Sequence, residues 1–302
     1  MQFSGVFSVL PTPFRKGGEL DVLSLRRVID LVVSAGVKGV TALGVTSEVS
    51  RLNESERRLI VETVVDQVNG RVQVIIGTSS DGSGLCLELS RFAAAAGASA
   101  VMISPPRMPK LNSEVVIRHY SQIASALDLP IIVQDYPPIS GYSMEPALLA
   151  RIAREIPSAR TIKLEDPPTP TKTASILANS QEIPVQVLGG LGGTFLIEEL
   201  MAGAAGVMSG FAVPEVLVRV VQLFQSGNLT EASDLFYTYV PLIRFEFQEG
   251  IGLAIRKEIL HRRGAIEDPC VRQPGSGLDS TTRAALDHLL NWPRLKQELR
   301  WN

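Results

Sequence analysis

The chain has 302 residues, with 29 Lys+Arg against 31 Asp+Glu, a formal net charge of −2 and 45% apolar residues. That is enough apolar side chain for a large core, which excludes a disordered segment, and the balanced charge gives no basic track for nucleic acid. No apolar run is long enough to span a membrane, no basic region precedes an apolar stretch at the N-terminus, and Cys86 and Cys270 cannot build a disulfide framework. A cytoplasmic protein with no nucleic-acid or membrane partner is expected.

The first predicted strand is 6–10. Residues 23–35 follow with apolar positions three and four apart, as an amphipathic helix requires. The junction Ala35-Gly36-Val37-Lys38-Gly39-Val40 then recurs as Ala96-Gly97-Ala98-Ser99-Ala100-Val101 and as Ala202-Gly203-Ala204-Ala205-Gly206-Val207. Each copy closes a helix on a glycine and opens a short apolar strand. Further strands are predicted at 72–77, 130–135, 161–164 and 184–188. Asn53-Glu54-Ser55-Glu56 has the form of a capping box, and Ser143-Met144-Glu145-Pro146 sets a cap before a helix-compatible proline.

The spacing of these landmarks averages about 26–30 residues per unit, the length of a βα repeat. Eight units end near residue 225, as a (β/α)8 TIM barrel requires. A doubly wound open sheet is the alternative, but no G-x-G-x-x-G turn follows the first strand. The expected organisation is a barrel over 1–225 and a C-terminal helical extension over 226–302. Helices are predicted there at 229–247, 251–263 and 280–300, with a Pro/Gly-rich interruption at 268–277.

Scarcity narrows the chemistry. His119, His261 and His288 are the only histidines, and none has a second His or a Cys at metal-ligand spacing, so no metal and no other cofactor is expected. No G-x-S-x-G elbow is present. In a barrel the active site lies at the C-terminal ends of the strands. There Lys163 stands among apolar neighbours in Arg160-Thr161-Ile162-Lys163-Leu164. Such a lysine has two readings: an amine of lowered pKa that attacks a ketone, or a structural cation paired with Glu165 or another carboxylate. The loop Gly189-Gly190-Leu191-Gly192-Gly193 reads as a phosphate cradle or as a turn where backbone approaches a ligand, and it contains no Lys or Arg. Thr46 and Ser47 offer hydroxyl and N–H groups suited to a carboxylate, or ordinary turn chemistry.

Taken together, Gly5, Thr12-Pro13-Phe14, the Gly44-Val45-Thr46-Ser47-Glu48 version of a G-x-T-G-E motif, Lys163 at the end of strand six, Gly189 and Gly206-Val207-Met208-Ser209 form a pattern. With it the whole chain resembles the dihydrodipicolinate synthase/N-acetylneuraminate lyase family of class I aldolases. The resemblance implies a barrel with a three-helix extension, a homotetramer, and a lysine that forms a Schiff base with pyruvate or another small 2-keto acid. By the same resemblance Lys163 is that lysine and Thr46 holds the keto acid's carboxylate, with Ser47 beside it as a candidate binding residue. Met208 and Gly189 fall among the positions lining the site.

The chain departs from the family where the synthases relay protons. Gln134 and Arg107 stand at two tyrosine positions, Val45 at a threonine, Ile139 at an arginine and Ser47 at the motif glycine. The expected protein is therefore a Schiff-base-forming lyase or aldolase that cleaves, condenses or dehydrates a small 2-keto acid. Lys163 is its nucleophile, Gln134 or Tyr136 positions water or a hydroxyl, and Arg107 is an electrophile or a clamp for a second carboxylate. The alternatives are 4-hydroxy-tetrahydrodipicolinate (dihydrodipicolinate) synthase, a catalytically silent 2-keto-acid-binding barrel and, third, a phosphosugar-binding barrel.

Overall fold

The three recurring glycines each end a helix in the left-handed region, with φ of +87° at Gly36, +102° at Gly97 and +97° at Gly203. A Cβ would be strained there, so these glycines stop the helix and turn the chain into the next strand. In the computed structural model, which describes residues 2–298, that step is part of a regular alternation. The strands are β1 (Gly5–Val9), β2 (Gly39–Ala42), β3 (Gln73–Gly77), β4 (Ala100–Ile103), β5 (Ile131–Asp135), β6 (Thr161–Leu164), β7 (Gln186–Gly189) and β8 (Gly206–Ser209). They close in sequence order into a barrel, the (β/α)8 architecture expected from the repeat.

The helices between them are α1 (Val22–Ser34), α2 (Glu54–Val68), α3 (Ser83–Ala96), α4 (Ser113–Ala124), a single turn α5 (Pro137–Ser140), α6 (Pro146–Glu155), α7 (Thr169–Ala178), α8 (Leu196–Met201) and α9 (Pro214–Gln225). Four more follow: α10 (Leu229–Glu246), α11 (Gly252–Arg262), α12 (Ser280–Leu290) and α13 (Pro293–Glu298). Helix starts follow local chemistry. Asn53 and Glu56 form the capping box at α2, and Asp21 and Asn112 cap α1 and α4. The cap expected at Ser143 does not form: α6 starts at Pro146 without a side-chain cap, and the Ser143 hydroxyl donates to Asp166 at 2.5 Å. The helix expected over 280–300 is two helices, because the residue before Pro293 is sterically driven out of the helical region; residues 299 and 300 of that expectation lie outside the described residues. Among the described residues no helix is long and apolar enough to cross a membrane.

Contacts within the chain fall into two compact units. One holds residues 2–5, 73–190 and 195–208; the other holds 6–72, 191–194 and 209–298. In the first, β4 to β8 pair in parallel, with Ile103 opposite Val133, Gln134 opposite Lys163, Lys163 opposite Leu188 and Gly189 opposite Val207. Their apolar residues, among them Val101, Ile132, Val133, Ile162 and Val187, are fully buried, as strands covered on both faces require. In the second, Phe7 of β1 lies opposite Gly39 of β2, and α9, α10 and α11 pack together in chain order.

Candidate active site

Alternation along a strand puts Lys163 and Glu165 on the same side of β6, and the register puts Gln134 beside Lys163 on β5. The three side chains meet. Lys163 Nζ lies 3.1 Å from Glu165 Oε2, and the same oxygen accepts a hydrogen bond from Gln134 Nε2 at 2.6 Å. Gln134 Oε1 in turn accepts from Ser104 Oγ at 3.0 Å, and the Ser104 N–H donates to Ser79 Oγ at 2.9 Å. Both ends of the Gln134 amide are thus fixed, its NH₂ on a carboxylate and its carbonyl on a hydroxyl. Among the described residues nothing donates a hydrogen bond to Glu165 Oε1.

The two glycines that end β7 are explained by carboxyl groups. A Cβ on Gly190 would stand 2.2 Å from Glu165 Cγ, and one on Gly189 would stand 1.7 Å from Glu199 Oε2. The backbone passes close to this chain's own glutamates at both positions. Glu199, from α8, is wholly buried; its Oε1 accepts from Thr169 Oγ1 at 2.6 Å, while Oε2 has no partner among the described residues. Burial pushes its carboxyl up to about 7, with the negative charges of Glu198 and Glu165 adding to the effect.

One residue on from Gln134, Asp135 takes the opposite side of β5, where α7 supplies its partner. Lys172 Nζ lies 2.6 Å from Asp135 Oδ2 and 2.7 Å from Asp166 Oδ2. Burial still pushes Asp135 up to about 6 against the pull of Lys172. His119 is a buried neutral ring, its Nδ1 2.8 Å from Ser83 Oγ and its pKa lowered to about 4 by desolvation.

The other residues marked by the sequence have different settings. Tyr136 is half-buried at the start of α5, where its carbonyl accepts from the N–H groups of Ile139 and Ser140. Arg107 is exposed, with its backbone N–H held by Asp81 at 2.8 Å. Met208 is buried within β8. In the second unit, Val45–Ser47 form a 3₁₀ turn after β2. Ser47 Oγ donates to the Leu10 carbonyl at 2.6 Å and accepts from the Gly44 N–H at 3.2 Å. Ser47 therefore ties two loops together, whereas Thr46 Oγ1 is buried with no partner among the described residues.

The structure brings Lys163 and Gln134 together and adds two residues to them. Glu165 entered the sequence reading only as a counter-ion, and Ser104 only as a strand-end residue without a role. The two-residue spacing of Lys163 and Glu165 was the available signal for the first. Ser104, one residue past β4, becomes visible only when the register of β4 and β5 is known.

A barrel of eight parallel strands with a buried amine at the C-terminal end of the sixth has the arrangement that the resemblance to class I lyases and aldolases implies. Residues 2–292 match the model of the Dihydrodipicolinate synthetase family, and the chain belongs to that family. It is an enzyme family of Schiff-base lyases and aldolases whose general substrate is pyruvate. The chain is 31% identical over 288 residues to L-2-keto-3-deoxyarabonate dehydratase of Azospirillum brasilense, covering 93% of this chain and 92% of that protein. It is 34% identical over 249 residues to 4-hydroxy-tetrahydrodipicolinate synthase of Methanothrix thermoacetophila, covering 82% and 83%. Among solved structures, YagE of E. coli K12, a prophage protein of the same family in complex with pyruvate, superposes with a TM-score of 0.89 at 26% identity, covering all of both chains.

Proposed function

We propose that this protein is a Schiff-base-forming lyase that dehydrates a 2-keto-3-deoxy sugar acid, with Lys163 as nucleophile and Glu165 as acid and base. The observation that carries it is the Lys163–Glu165–Gln134 cluster, in which a carboxylate lies beside the amine and its second oxygen has no donor among the described residues. The Lys163 amine adds to the C2 carbonyl of the substrate, and water leaves to give an iminium, an electron sink. Glu165 takes a proton from C3, and the electron pair of that bond becomes the C2–C3 double bond of an enamine. The enamine then expels the C4 hydroxyl, which leaves as water with the proton Glu165 holds. Hydrolysis of the imine returns Lys163. One molecule of water is lost overall, and Glu165 ends as it began.

Dehydration suits this site because one carboxyl can take a proton and hand it back. Condensation to 4-hydroxy-tetrahydrodipicolinate would also need a cation for the aldehyde's carboxylate, and Ile139 stands where the resemblance expects an arginine. Gln134 and Val45, at two of the family's relay positions, cannot ionise. The likeness to a keto-deoxy sugar acid dehydratase over nearly the whole chain supports the same choice. In this reading Gln134 and Tyr136 orient the substrate's hydroxyls, Arg107 stands at the rim, and Gly189 and Met208 shape the wall. The family resemblance assigns the keto acid's carboxylate to Thr46, whose hydroxyl has no partner among the described residues, on a turn tied down by Ser47. A cytoplasmic homotetramer completes the reading, and light scattering that returned a 32.6 kDa particle would remove the tetramer.

Borohydride with pyruvate tests it. Reduction should add one pyruvate-derived mass to the peptide containing Lys163; labelling elsewhere, or none with any 2-keto acid, overturns the assignment. A silent binding barrel would bind pyruvate without exchanging its methyl protons for deuterium. The runner-up, 4-hydroxy-tetrahydrodipicolinate synthase, is favoured by the 34% identity to such enzymes. A kcat/KM above about 10⁴ M⁻¹s⁻¹ with pyruvate and aspartate semialdehyde would establish it in place of the dehydratase.

A further inference from the structure

We propose that Glu199 is a positioning residue for this site: a neutral carboxyl wedged behind Gly189 that holds the Gly189-Gly190 turn, and through it Glu165, in place, and lets the turn go when it ionises. The inference rests on the reading of Glu165 as the base.

Consecutive residues at a strand end present opposite sides, and here each side meets a glutamate. Glu165 packs on Gly190, Glu199 packs on Gly189, and neither glycine has room for a Cβ. The strand end is therefore a thin backbone wall between two carboxyl groups. Glu199 has one hydrogen-bond donor, the Thr169 hydroxyl, and its second oxygen is buried and unpartnered among the described residues.

The charges that act on Glu199 are both negative. Glu198 comes from its own helix and Glu165 from the end of β6. The helix packed beside it, α7, carries Lys172, but that ammonium is held by Asp135 and Asp166. A carboxylate at this place would have no counter-charge among the described residues and one hydrogen bond, which a buried anion tolerates poorly. The proton is retained to about pH 7 as a result. Ionisation above that calls for water or a cation at Oε2, where the Gly189 backbone already lies, so the turn must move. Glu165 then loses the wall it packs on.

The probe is deuterium exchange into the methyl group of pyruvate, followed by NMR from pH 5.5 to 9, with borohydride trapping in parallel. Wild type should lose exchange above about pH 7. Glu199→Gln keeps the acceptor for Thr169 and cannot ionise, so its alkaline limb should move up by at least one pH unit. Glu199→Ala, which also cannot ionise, should show the same shift at a lower plateau because it leaves the turn unsupported. A Glu199→Gln profile that superimposes on wild type overturns the inference. Glu165→Gln separates the two layers of argument. If it abolishes exchange while Glu199→Gln tracks wild type, the base assignment stands and the role of Glu199 falls. If Glu165→Gln exchanges normally, both fall.

Discussion

Among the described residues two lysine–glutamate pairs lie largely out of solvent, and they are built to different specifications. Lys257 and Glu48, in the second unit, have side chains 0% and 1% exposed. Lys257 donates to Glu48 and to the Cys270 carbonyl, and it stands 4.7 Å above the centre of the Phe14 ring. The other oxygen of Glu48 accepts from Arg51 at 2.7 Å and from the Arg272 N–H at 3.0 Å. Burial pulls the Lys257 pKa down, and the Glu48 charge opposes it. Lys163 and Glu165 are 7% and 12% exposed and meet at 3.1 Å, and Glu165 Oε1 has no donor among the described residues. A pair whose donors and acceptors are all engaged holds segments together; a pair with an unused oxygen has capacity left for a substrate. Residue type does not distinguish the two, and saturation does.

The comparison predicts opposite phenotypes, and the largest effect falls on Lys163. Lys163→Ala should lose all pyruvate trapping while its thermal unfolding stays cooperative; residual labelling of the variant would break the comparison at its active end. Glu165→Gln should trap pyruvate and lose about 10²–10⁴-fold in methyl exchange, the usual contribution of a positioned acid or base. Lys257→Met should reverse the pattern. It leaves Glu48 buried without its lysine, which costs about 3–5 kcal/mol when a buried pair is broken from one side. Denaturant unfolding reads that loss, and trapping per folded molecule should be kept. A Lys257 variant as stable as wild type would show that this pair is not the clamp its hydrogen bonds describe.

Much of the barrel was legible because its signals are local. The Ala-Gly junctions at Gly36, Gly97 and Gly203 announce helix ends through a backbone conformation that only glycine adopts easily. Lys163 stood out because a cation inside an apolar strand needs a reason. The break before Pro293 was also present in the sequence, as a residue barred from helical backbone by the following proline, yet helical spacing on both sides masked it. The glycines at 189 and 190 were read as a place for a ligand. Glu165 and Glu199 approach them as well, one from a helix further along the chain. A single sequence contains no trace of that approach, because the same two glycines would serve a phosphate equally well. Ser47 likewise offered a hydroxyl for binding, and only the fold shows that Leu10 and Gly44 already use it.

The smallest expected effect sharpens the contrast from the outer side of the strands, through stability. Glu199 is raised from an ordinary 4.5 to about 7 in the folded protein, chiefly by burial. Between those values the folded chain holds a proton that the unfolded chain has released. Stability from this group is therefore fully present below about pH 4.5 and is lost as pH rises through about 7. The loss is at most roughly 3 kcal/mol, at 1.36 kcal/mol for each pH unit of separation. Asp135, also raised by burial, slopes in the same direction and is common to wild type and to Glu199→Gln, so it cancels between them. Urea unfolding of the two proteins at pH 5, 6, 7 and 8 should show the glutamine variant gaining on wild type up to about pH 7 and running parallel beyond it. A difference that does not change with pH would mean that Glu199 is ionised in the folded protein throughout. The wall behind Glu165 would then bear a charge that no partner among the described residues offsets.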